Sequence, residues 1–118
     1  MSEQQPVVDY NEALARTLGD VEFLKSMLFE FQRIAPDFLG RFHNALETGD
    51  LETLARDAHQ FKGSAANLSI KIVASIALDL EMLGRSGNSE NGMQLLDDMK
   101  AAIRQFDTHL EETDFSSF

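Results

Sequence analysis

The sequence predicts an all-α fold: an antiparallel four-helix bundle with a short additional N-terminal helix. Three observations carry that reading. Apolar residues recur at helical spacing along most of the chain. Only two prolines, Pro6 and Pro36, are present, and β-branched runs are few. Breaks fall at Gly19-Asp20, at Gly49-Asp50 and between Gly84 and Gly92, where a helix can end on a left-handed Gly and the next restart on an Asp cap.

Taken in order, a first helix is expected over about 9–18, with Tyr10, Leu14 and Leu18 inward. It is too short to be a full bundle member and should cap one end. The second, over 20–48, offers Leu24, Leu28, Phe31, Ala35, Phe38, Phe42 and Leu46. Pro36 lies inside it and removes a backbone hydrogen bond, so a kink or break is expected near Ala35. The third, over 50–68, has the clearest stripe: Leu51, Leu54, Ala58, Phe61, Ala65 and Leu68. The fourth, over 70–85, presents Val73, Ile76, Leu80 and Leu83, and the fifth, over 90–112, Leu96, Met99, Ile103, Phe106 and Leu110. Four amphipathic helices with short connections pack as an antiparallel bundle. The domain is read as 9–112, with 1–8 and 113–118 as flexible termini.

Composition narrows the function. The chain has 118 residues, 10 Lys plus Arg, 20 Asp plus Glu and a formal charge of -10. That balance argues against nucleic acid and against an anionic membrane surface. There is no Cys, so disulfides, thiol catalysis and Cys-ligated metal are excluded. Neither a secretory signal nor an apolar run of membrane-spanning length is visible. A cytoplasmic location is the simplest reading. A start at Met1 and a polar end read, weakly, as a free-standing protein, and the apolar residues are accounted for by one core, as in a monomer.

Histidine chemistry has three candidates: His43, His59 and His109. His43 and His109 sit off their own stripes and read as surface or boundary residues. His59 lies about 130° from the stripe of the third helix, on its solvent side. Arg56 and Lys62 flank it one turn away, together with Ala55 and Gly63, and Ala66 follows two turns on. A mid-helix Gly costs about 1 kcal/mol relative to Ala, and close approach of another body would explain it. No carboxylate occupies the positions three or four away. A helix-borne metal site, or a base held by a neighbouring acid as in a triad, is therefore disfavoured. A nearby cation favours neutral imidazole, the nucleophilic form, and Lys62 could reach an anion on the ring. The arrangement describes a phosphoryl acceptor. The competing plain reading is a solvated helix face with a tolerated Gly.

The run Ala58-His59-Gln60-Phe61-Lys62-Gly63-Ser64-Ala65-Ala66-Asn67-Leu68 resembles the signature H-x-x-K-G-S-[SA] of histidine-containing phosphotransfer (HPt) domains. Leu80-Glu81 also sits where such domains commonly carry a Leu-Glu pair, and the likeness covers about 9–112. The resemblance implies a phosphorelay intermediate. His59 would accept a phosphoryl group from a receiver-domain aspartate and pass it to a response-regulator receiver. Lys62 would contact the phosphoryl oxygens and Gly63 would let the partner approach. Arg56, Gln60, Ala66 and Asn67 are auxiliary candidates, while Ser64 reads as a packing residue. The partners implied are receiver domains of a hybrid sensor kinase or a response regulator. No cofactor or metal is expected on this chain, Mg²⁺ being brought by the receiver. No Gly-rich nucleotide loop is visible, so no autonomous kinase activity is expected. One departure stands out: Asn67-Leu68-Ser69-Ile70 replaces the family's Asn-Leu-Gly-Ala, which puts the turn after the third helix in question.

Three other readings compete. A helical adaptor could bind receivers or kinases without carrying phosphate. A metal-binding bundle would need ligands that the helix does not supply. A sensor-kinase dimerisation pair would need an H-E-x-[RK]-T-P box, which is missing around His59.

Overall fold

The computed structural model describes residues 6–118. Five helices run in chain order: α1 (Tyr10–Arg16), α2 (Val21–Thr48), α3 (Leu51–Asn67), α4 (Lys71–Ser86) and α5 (Gly92–Glu112), followed by a 3-10 turn at Phe115–Ser117. Helix α2 packs on α3 and α5, and α4 on α3 and α5, which closes a ring of four. The described residues are all-helical outside their turns, as the apolar periodicity predicts.

Aspartate side chains open the first three helices. Asp9, Asp20 and Asp50 accept from the backbone N–H groups of Glu12, Phe23 and Thr53. Each satisfies a donor that a helix start leaves unpaired. Gly49 closes α2 at φ 74°, the left-handed conformation expected from the Gly-Asp pair.

The core centres on aromatic rings. Phe31, Phe42, Phe61 and Phe106 are fully buried. Phe61 stacks on Phe31 with ring centroids 4.9 Å apart and lies 4.9 Å from Phe38, while Phe106 meets Phe31 edge-on at 5.5 Å. Such pairs add about 0.5–1.5 kcal/mol each beyond their burial. This stack anchors the buried face of α3 and so fixes which face of that helix reaches solvent.

Several expectations are corrected. Helix α2 is continuous through Pro36, so a break there does not occur. Pro36 lies on the exposed face of the helix, while Ala35 and Phe38 hold it to the core. Gly84 does not mark a loop; it is buried inside α4. In α2, Ala45 rather than Leu46 is the buried residue, and Leu51 and Leu83 are half-buried. Leu18 is 95% exposed rather than inward.

The termini also differ from the loose ends expected. Val8 is buried, and the Asp9 N–H donates to the Ser69 carbonyl at 3.0 Å. Residues 1–5 of that expected N-terminal segment lie outside the described residues. At the other end, Asp114 caps the 3-10 turn, Phe115 is buried and Phe118 meets Tyr10 edge-on at 4.7 Å. The two phenyl rings give a polar tail an apolar anchor.

Ser69 settles the turn after α3. It adopts φ 57°, the conformation for which the family's Gly is suited. Its hydroxyl accepts from Arg16 Nη1 at 2.5 Å and donates to Glu12 Oε1 at 3.1 Å. The strained serine therefore carries hydrogen bonds that tie α1 to the α3–α4 turn, which a glycine could not make.

Candidate functional site

The site begins with the register of α3. Phe61, Ala58 and Ala65 turn into the core, so His59 turns outward, its side chain 62% exposed. Opposite it, α4 comes unusually close. A Cβ on Gly84 would stand 2.8 Å from the Leu51 carbonyl and 2.9 Å from the Ala55 amide. Only a glycine fits there, and the two backbones meet. Ala55 lies buried under this contact. It belongs to the helix crossing and forms part of the cleft floor beside His59.

Close packing delivers Glu81, one turn before Gly84, to the histidine. Glu81 is buried, with its side chain 7% exposed. Its Oε2 lies 3.0 Å from His59 Nδ1, and its Oε1 accepts from Lys62 Nζ at 2.8 Å. Arg85, on the next turn of α4, donates to Oε2 through Nε at 3.1 Å and Nη2 at 2.7 Å. Lys62 and then Arg85 hold the Glu81 carboxyl down to about 2, against a burial that pushes it up. Glu81 is thus an ionised, acceptor-only carboxylate. The proton in its contact with His59 must sit on Nδ1. The Nε2 lone pair is then the ring's free nucleophilic position.

This carboxylate is what sequence reasoning missed. The positions three and four from His59 on α3 carry no acid, but the expectation that no neighbouring acid holds the ring is corrected, because Glu81 reaches it from α4. The available signals were a Glu next to Leu80 on the apolar stripe, one turn before a Gly, and the Leu-Glu pair of the family resemblance.

The remaining candidates are placed as follows. Lys62 is half-buried against Glu81. Gly63 is exposed, and a Cβ there would meet nothing within 4 Å. It fills no packing need within the chain. Gln60 and Ala66 are exposed on the same helix. Asn67 is exposed at its end, where its carbonyl accepts from Arg16 Nη1 at 3.0 Å. Arg56 is exposed and 3.9 Å from the buried Asp57 carboxylate. With Glu52, Ala55, His59, Gly84 and Arg85 it lines an open cleft of about 590 Å³ between α3 and α4. A second groove, between α2 and α3, is more apolar and is lined by Met27, Phe31, Ile34, Ser64, Asn67 and Leu68 among others. Ser64 therefore faces a groove and is not buried in the bundle. His43 faces Glu47 at 3.3 Å. His109 is half-buried with Nε2 2.8 Å from the Tyr10 hydroxyl, and burial pushes the phenol up and the imidazole down.

A cationic spot was expected beside His59. Of the two expected cations, Arg56 is exposed and Lys62 is paired with Glu81, a carboxylate that it shares with the unforeseen Arg85. Among the described residues, no helix is long and apolar enough to cross a membrane.

Comparisons with known proteins bear on family and fold. The family model of the Hpt domain matches residues 26–112, which include His59, Lys62, Gly63 and Glu81. A crystal structure of histidine-containing phosphotransfer protein B (HptB) from Pseudomonas aeruginosa PAO1 has the same fold, with a TM-score of 0.80. It is 22% identical, over 94% of this chain and 100% of that one. No curated protein sequence matches. The family-model match over most of the chain places the protein in the Hpt domain family, with a phosphotransfer role in two-component signalling.

Proposed function

We propose that the chain is a phosphorelay intermediate that carries its phosphoryl group on His59. One observation supports this above the others: Glu81 holds the Nδ1 proton, so the exposed ring offers Nε2 outward. Nε2 attacks the phosphorus of a receiver phospho-aspartate. An N–P bond forms, the O–P bond breaks, and the aspartate leaves as a carboxylate. The reverse step delivers the group to a response-regulator receiver. Positive charge develops on the ring during attack, and Glu81 stabilises it where it forms. Lys62 exchanges Glu81 for the phosphoryl oxygens, a charge-assisted contact. Gly63 leaves space for the partner above the helix.

The docking surface combines the exposed turn of α3 with the apolar α2–α3 groove. Mg²⁺ belongs to the receiver, and the chain works as a cytoplasmic monomer. The test is transfer of ³²P from phosphorylated receivers of a hybrid kinase or response regulator. Label is expected on the wild-type chain and at background on His59→Gln. Undiminished label on His59→Gln, or none on wild type with any cognate receiver, would overturn the reading. The adaptor alternative predicts receiver binding and intact signalling in His59→Ala, without label in either protein.

A further inference from the structure

Arg85 was not among the residues that the motif singles out, yet it occupies half of the Glu81 carboxylate. Four N–H donors converge on that group: one from Lys62 on Oε1, one from His59 on Oε2, and two from Arg85 on the same Oε2. Each carboxylate oxygen has about two lone pairs, so Oε2, with three of these donors, is crowded while Oε1 holds one. Arg85 and His59 therefore share a single oxygen.

We infer that Arg85 is a positioning residue that sets how strongly Glu81 acts on His59, and so sets the proton affinity of the acceptor imidazole. The inference deepens the phosphoryl-carrier reading and rests on it for its biological meaning. Its physical basis is charge sharing. With Arg85 in place, the negative charge on Oε2 is divided between a guanidinium and the imidazole N–H. Without it, Oε2 has His59 as its one partner and favours the imidazolium, which has no free lone pair for phosphorus. The charged groups that face the ring or its cleft are Glu52, Arg56 and Lys62 from α3, and Glu81 and Arg85 from α4. Arg85 is the one that both contacts the shared oxygen and stands 63% exposed at the cleft wall. An arriving phosphoryl group or an acidic receiver surface can draw it away. Partner arrival would then strengthen the Glu81–His59 contact as positive charge develops on the ring.

The experiment is an NMR titration of the His59 ring nitrogens in the full chain. It compares wild type, Arg85→Ala, Arg85→Lys and the same Arg85→Ala change in a Glu81→Gln background. Arg85→Ala is expected to move the His59 midpoint up by about one pH unit. Arg85→Lys should restore part of that shift, because an ammonium keeps the charge without the two-pronged geometry. In the Glu81→Gln background the shift should fall below about a third, since the effect passes through the carboxylate. An unmoved midpoint in Arg85→Ala, or an equal shift in both backgrounds, would overturn the inference. Because Arg85 is exposed, far-UV circular dichroism should match wild type, and a titration shift without loss of helicity separates positioning from mere structure. The titration needs no phosphoryl donor. Failure of ³²P labelling would thus strike the carrier reading alone, and an unmoved midpoint would strike this inference alone.

Discussion

His59 acquires its chemistry from a neighbour 22 residues away. The imidazole is free to contact solvent, yet Glu81 fixes its tautomer and direction. Glu81 in turn stays charged because Lys62 and Arg85 hold its carboxyl down to about 2. A carboxyl lowered in the folded state stabilises the fold above its ordinary value. That contribution is fully present above about pH 4.5 and is lost as pH falls toward about 2. Urea unfolding between pH 2 and 6 should therefore show a slope in that window that Glu81→Gln removes; an unchanged slope would show that the ion pairs add nothing to stability. Gly63 poses a different question, because nothing in the chain occupies the space above it. Gly63→Gln should fold with unchanged helicity and accept phosphoryl groups at least tenfold more slowly, by about 1.4 kcal/mol or more of lost docking. A collapse of helicity would reassign Gly63 to packing. His59, Lys62 and Gly63 were all legible as a pattern on one helix face. Glu81 and Arg85 were not legible from that face, since helical periodicity says nothing about what a second helix brings across a crossing.

At the scale of elements, the α3–α4 crossing determines the site. The near contact of Gly84 with the Leu51 carbonyl and the Ala55 amide sets how close the two helices run. A methyl group there must push backbone, not a flexible side chain. Gly84→Ala is expected to cost about 1–3 kcal/mol of stability, the usual range for overpacking. It should also weaken the His59–Glu81 contact, visible as a changed tautomer balance of the His59 ring. A variant as stable as wild type would show that the crossing can relax. In the sequence Gly84 looked like the start of a loop, because a Gly followed within a few residues by Ser-Gly-Asn reads as punctuation. Its burial depends on α3 and has no local signature. The same holds for Pro36, whose position on the exposed face of α2 spares the helix a break. Helix starts were legible because Asp caps act locally. The 3-10 turn at Phe115–Ser117 was hidden in a polar segment whose anchoring rings find their partners 86 or more residues back, on α1 and α2.

The whole molecule is an acidic body with a concentrated polar site. A formal charge of -10 surrounds one helix crossing where Arg56, Lys62 and Arg85 gather about a histidine and a glutamate. The bundle supplies rigidity: the Phe31–Phe61–Phe38 stack pins α3, and Gly84 pins α4 against it. Fold class was readable throughout, because each helix carries its own apolar stripe. The chemistry was half readable, because one partner lies on each of two helices. The central claim is that Glu81 holds Nδ1 so that Nε2 takes the phosphoryl group. Phosphorylating the ¹⁵N-histidine-labelled chain with a cognate phosphoreceiver, and assigning the phosphorus to a ring nitrogen by ³¹P–¹⁵N NMR, tests it most directly. The account predicts one phosphoryl group on His59 Nε2. Phosphorus on Nδ1, or on another residue, would contradict it.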